Sequence, residues 1–110
     1  MPQGALPTST SNPAGGTKSS LNLVAGATQV IKASAGRVGR LAINTAGASA
    51  SWNIWDTSSS AGATAANLIW SSAFGNTNVA AGTLTLIDWP CANGIVITVP
   101  PSGVASLSFQ

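Results

Sequence analysis

Asp56, Asp88 and Cys91 are the residues of this chain best equipped for chemistry, and each adjoins a tryptophan or a proline: Trp55-Asp56, Asp88-Trp89 and Pro90-Cys91. Two carboxylates are the minimum for glycoside hydrolysis, in which one carboxyl must keep its proton near neutral pH. An indole neighbour can supply the desolvation that raises a carboxyl pKa. The competing reading is simpler and stronger: with two acids and four bases in the whole chain, Asp56 or Asp88 pairs with Arg37 or Arg40. Histidine is absent, so Cys91 lacks the imidazole that nucleophilic thiol catalysis needs. A lone cysteine makes neither an intramolecular disulfide nor a zinc site, and Cys91 reads as a small buried apolar residue. No Asp-rich run is available to hold calcium. The expectation is a protein without catalytic residues, metal ligands or cofactors.

Charged residues make up 5% of the 110 positions, where about 25% is ordinary for a soluble domain. The surface must therefore be built from Ser, Thr, Asn, Gly and Ala. A surface so poor in charge is better explained by cover from other subunits than by life as an isolated monomer. The plainer alternative is a small-residue-rich β-domain kept soluble by hydroxyls and amides. Lys18, Lys32, Arg37 and Arg40 against the two aspartates leave a net charge of +2, too little to track a phosphate backbone, so nucleic acid is not an expected partner. Neither a signal peptide nor a membrane span is expected, because Met1–Leu6 has no basic residue and every apolar run is short.

The elements that would position these residues read as strands. Residues 1–17 hold three of the six prolines and, after Met1, only Leu6 as a large apolar side chain. Such a segment cannot offset its own ordering entropy, and it reads as an arm, either frayed or ordered by adding a strand to a neighbour's sheet edge. Residues 18–110 show alternating apolar positions and no sustained helical spacing. Eight short strands are predicted: Leu21–Gly26, Thr28–Ala33, Arg37–Asn44, Ser51–Thr57, Asn67–Ser71, Thr83–Trp89, Ile95–Val99 and Val104–Phe109. Adjacent Val30 and Ile31 indicate a bulge or a doubly buried strand. Ser58–Ala66 is a small-residue loop with short helical character. Strand spacing of this kind argues for a single all-β sandwich, jelly roll or small barrel, and a jelly-roll-like sandwich is the preferred reading.

Within this scheme Pro90, Asn93 and Gly94 are structural turn residues, with Asn93-Gly94 supplying positive φ where the chain reverses. Thr83–Trp89 is expected to pair with Ile95–Val99, and Trp89 and Cys91 to plug the end of the core. Alternation in Ser51–Thr57 places Trp52 and Ile54 on the core side and Trp55 outward. An outward Trp beside Asn53 and Asp56 suits a sugar platform, but it suits a subunit contact better in a chain whose composition already calls for partners.

From Val38-Gly39-Arg40-Leu41, through the Trp52–Thr57 strand and the Ser/Ala/Gly loop, to Trp89-Pro90-Cys91-Ala92-Asn93-Gly94-Ile95-Val96-Ile97, the chain resembles small structural proteins of tailed-bacteriophage virions. The resemblance covers residues 28–109 and rests on turn and strand signatures; the tryptophan content and the scarcity of charge depart from it. It implies an all-β fold, homo-oligomers that are often trimers, and no active site. Such proteins serve as capsid decoration or cement proteins, head fibres, or neck and tail parts. The expectation is a capsid decoration protein, made in the host cytoplasm, that sits on the virion surface between subunits of the major capsid protein and stabilises the head. Leu6, Trp55, Arg37 and Arg40 are the candidate subunit contacts. The alternative is a fibre, tail or neck component that recognises a host or a carbohydrate through an exposed Trp.

Overall fold

A computed structural model describes residues 18–20, 23–47, 51–73 and 80–110. Leu6 and the rest of the 1–17 arm lie outside the described residues. Eight strands occur among those described: β1 (Lys18–Ser20), β2 (Thr28–Lys32), β3 (Gly36–Thr45), β4 (Asn53–Trp55), β5 (Leu68–Ser71), β6 (Leu84–Cys91), β7 (Ile95–Thr98) and β8 (Val104–Phe109). Two single-turn 3-10 segments, Ser60–Gly62 and Ala65–Asn67, give the alanine-rich loop its helical character.

The strands form two antiparallel sheets, ordered β1-β8-β3-β6 and β2-β7-β4-β5. First pairs with last, second with seventh, third with sixth and fourth with fifth. A long antiparallel hairpin wound around a barrel axis produces this order, which is that of a jelly roll. The all-β sandwich is as expected from the strand spacing.

The core lies between the sheets. Leu41 and Ile43 from β3, Ile54 from β4, Ile95 and Ile97 from β7, and Leu107 from β8 are buried, as is Trp52 just before β4. Each side chain of this size contributes about 1.5–3 kcal/mol through lost apolar exposure. The indole N–H of Trp52 donates to the Ala46 carbonyl at 3.2 Å, so its one polar atom is satisfied. Arg40 faces outward between Leu41 and Gly39, as the alternation predicts. The bulge anticipated at Val30-Ile31 is present, with a register shift between Val30 and Lys32. Pro100-Pro101-Ser102-Gly103 closes a turn through Gly103 N–H to Pro100 O at 3.0 Å, with Ser102 at φ 64°.

Two expectations about order are corrected. β6 and β7 do not pair: β6 joins β3 in one sheet, and β7 lies between β2 and β4 in the other. Residues 92–94 are thus a crossing between sheets, with no hairpin there. The first described strand is Lys18–Ser20, and Leu23, placed in a strand by its spacing, is a buried core residue outside the strands.

Within the first sheet the strands advance unequally. Between the level of Leu41 and the level of Val38, β8 runs from Leu107 to Phe109, two residues, and β3 spans three. β6 spans four over the same interval, from Thr85 to Trp89. The surplus in β6 coincides with Asp88 at φ 46°, a bulge that bends this edge strand and increases its twist.

Candidate functional site

The crossing from β6 to β7 gathers both carboxylates, the cysteine and an exposed tryptophan. At the β6 bulge, Arg37 of neighbouring β3 donates from Nε to Asp88 Oδ1 at 2.7 Å and from Nη2 to the Asp88 carbonyl at 3.4 Å. The hydrogen bond from Arg37 holds the Asp88 carboxyl below its ordinary range. Both side chains remain partly in solvent, at 41% and 37% exposure, so the pair pins the local bulge more than it stabilises the fold.

Asp56, immediately after β4, reaches across to the crossing itself. Its Oδ1 accepts the Asn93 N–H at 2.8 Å and the Gly94 N–H at 3.3 Å, and its Oδ2 accepts the Ala92 N–H at 3.0 Å. Partial desolvation pulls this carboxyl upward, but the three backbone donors together pull it further down, and its pKa lies below the ordinary value. Gly94 is required here for a reason different from the positive φ expected of it. The left-handed glycines among the described residues are Gly26, Gly47 and Gly82. A Cβ on Gly94 would instead run into the Thr57 carbonyl, the Lys32 carbonyl at 2.7 Å and Ser58 Cα at 2.9 Å. Asn93-Gly94 is a close crossing of backbones held by a carboxylate.

Cys91 is buried at the end of β6, and desolvation, helped by the nearby Asp56 charge, pushes its thiol up to about 11. It lines an open depression of about 390 Å³ together with Lys32, Arg37, Pro90 and Gln110. Trp89 does not plug the core. It is 52% exposed, and Leu84 and Leu86 of the same strand are 62% and 55% exposed.

The three expected contact residues among those described are divided between the two sheets. Arg37 and Arg40 lie on β3 of the first sheet, whereas Trp55 lies on β4 of the second. Trp55 does not stand free. Its ring shares the outer row Val30–Val96–Trp55–Leu68 with the fully buried Val96, and its Nε1 donates to Thr98 Oγ1 at 3.0 Å. Arg40 is exposed and contributes its backbone N–H to Ser108 Oγ. Trp89 is the exposed indole that sequence reading missed. Pro90 carried the signal, because a proline inside a strand marks a sheet edge, where side chains lose cover on one side.

Chemically, the two carboxyls are held low, the reverse of what a general acid requires at neutral pH, and the thiol is held protonated. No cluster of potential metal ligands occurs among the described residues, and no helix there is long and apolar enough to cross a membrane. No family model, curated protein or solved structure matches the chain. What the geometry offers is surface: among the described residues, three exposed large apolar side chains gather on the β6 edge, with Val24 and Val30 exposed elsewhere, in a chain with few charges.

Proposed function

We propose that this chain is a structural protein of a bacteriophage virion, a decoration protein that binds between major capsid subunits and stabilises the head. The observation that carries the reading is a jelly-roll sandwich whose exterior is almost without charge yet presents Leu84, Leu86 and Trp89 on one edge. Jelly rolls recur in capsid proteins and in lectins, which is support by fold-level analogy. The composition adds an independent physical argument, since a charge-poor exterior with an apolar edge suits a protein covered by neighbours. Small free energies per copy suffice in a lattice, where repeated contacts act together.

Particles lacking the protein are expected to lose infectivity at a lower temperature than complete particles, and purified protein added back is expected to restore the difference. Equal heat resistance with and without the protein would overturn the reading. Hundreds of copies per particle fit decoration, and a handful fit a neck or fibre part. The carbohydrate-binding alternative rests on Trp89 beside Asp88 in a fold shared with lectins. Saturable glycan binding by the isolated protein that is lost in Trp89→Ala would reverse the order of the two readings.

A further inference from the structure

We infer that the β6 edge, from Leu84 to Leu86, pairs antiparallel with the same edge of a second copy about a two-fold axis at Thr85, joining the two first sheets into one. This stands apart from the virion reading and is tested without particles.

Among the described residues four strands lie at sheet edges: β1 and β6 in one sheet, β2 and β5 in the other. Edges are kept from pairing by brevity, charge, proline or a bulge. β1 has three residues and carries Lys18, β2 has a bulge and Lys32, and β5 has four residues. β6 is eight residues long, and its bulge at Asp88 and its Pro90 come only after Leu86. Leu84-Thr85-Leu86 has none of these protections.

The backbone groups there face outward. Ile43 N–H of β3 donates to Thr83 O at 2.8 Å, so the Thr83 carbonyl faces β3, while its N–H donates to Ala80 O at 3.1 Å. By alternation from that carbonyl, the N–H and C=O of Thr85, opposite Leu41, face β3, while Leu84 and Leu86 aim theirs at the open side. The side chains of these same two leucines are exposed at 62% and 55%. One short run therefore presents unpaired main-chain groups and apolar side chains together.

A second copy is the occupant because the run matches itself. Reversed, Leu-Thr-Leu is still Leu-Thr-Leu. With Thr85 on the axis, Leu84 meets Leu86 of the second copy in a hydrogen-bonded pair, and Leu86 meets its Leu84 likewise. The two Thr85 residues then form a non-hydrogen-bonded pair with Cα atoms about 4.5 Å apart, a position that favours Thr–Thr contact. The leucines fall on one face and the threonines on the other. Charge offers little opposition: Arg40, opposite Leu86, is the charged neighbour on β3. Its counterpart would lie three strand spacings across and two residues along, about 16 Å away, beyond the Debye length of about 8 Å at physiological salt.

The test is sedimentation of the full chain over a wide concentration range. Wild type is expected to form a reversible dimer, and Leu86→Lys to raise the dimer dissociation constant at least tenfold with an unchanged circular dichroism spectrum. Leu84→Thr with Leu86→Thr, which keeps β propensity, is expected to weaken the dimer in the same direction and serves if the lysine variant fails to fold. Thr85→Cys in a Cys91→Ala background should form a covalent dimer under mild oxidation. A chain monomeric at every concentration, or a dimer indifferent to both edge variants, would overturn the inference. So would a dimer dissolved by deleting residues 1–17 with the edge intact, since the arm would then be the occupant.

Discussion

Asp56 satisfies three backbone donors with two oxygens, an arrangement in which an amide is a poor substitute. Asp56→Asn replaces one acceptor with an NH₂ group that faces N–H donors. The expected loss is about 1–2 kcal/mol, at the low side for charged hydrogen bonds because the carboxylate is partly in water. Urea unfolding of the two proteins at neutral pH measures it. The folded-state pKa lies below the unfolded value of about 3.9. The contribution is therefore complete above the unfolded pKa and is lost as pH falls through the folded one. Wild type should lose more melting temperature than Asp56→Asn on going from pH 5 to pH 2. Pairing of one of the two aspartates with Arg37 or Arg40 was legible in the sequence, because with so few charges there were few ways to pair them, and Arg37–Asp88 is the pair that forms. The role of Asp56 was not legible, since its partners are main-chain groups of residues 36 to 38 positions away, which leave no mark in side-chain pattern.

At the scale of elements, strand positions were largely readable and strand partners were not. Alternation of Trp52 with Ile54, and of Leu41 with Ile43, follows from one face being buried, and that is a local property. Whether β7 returns beside β6 or crosses to the other sheet depends on which edge remains open after β3 and β8 have paired. Proline and Asn-Gly reported a reversal of chain direction and nothing about its destination. Trp55 illustrates the same limit: alternation placed it on the outer face correctly, but the pairing of β4 with β7 sets it beside Val96 and brings Thr98 Oγ1 to its indole N–H. The crossing also yields a sharp expectation. Gly94→Ala would force a Cβ against carbonyl oxygens of two other segments. Because those contacts are backbone, which gives way only by moving strands, the cost should reach about 3 kcal/mol, read as a lowered denaturant midpoint. A Gly94→Ala protein with wild-type stability would mean that the two segments do not approach as described.

For the whole molecule, the all-β class was legible because eight apolar bursts separated by Gly, Pro and Asn have few other solutions at this length. The jelly-roll order needed long-range pairing, such as Lys18 with Phe109 and Thr28 with Thr98, that no local pattern encodes. The scarcity of charge was equally plain in the sequence, but where it leaves apolar surface bare was not: β6 becomes an edge only through that pairing. The exposed indole there has an optical consequence. Trp52 is sealed in the core and Trp55 and Trp70 are partly covered, whereas Trp89 is open to solvent. The emission spectrum should accordingly contain a long-wavelength component that iodide quenches and a shorter-wavelength one that it does not. Trp89→Phe should remove most of the quenchable light. The protein thus carries its own dye at the β6 edge, and shielding of that red component reports, in real time and without labelling, when Trp89 has been covered.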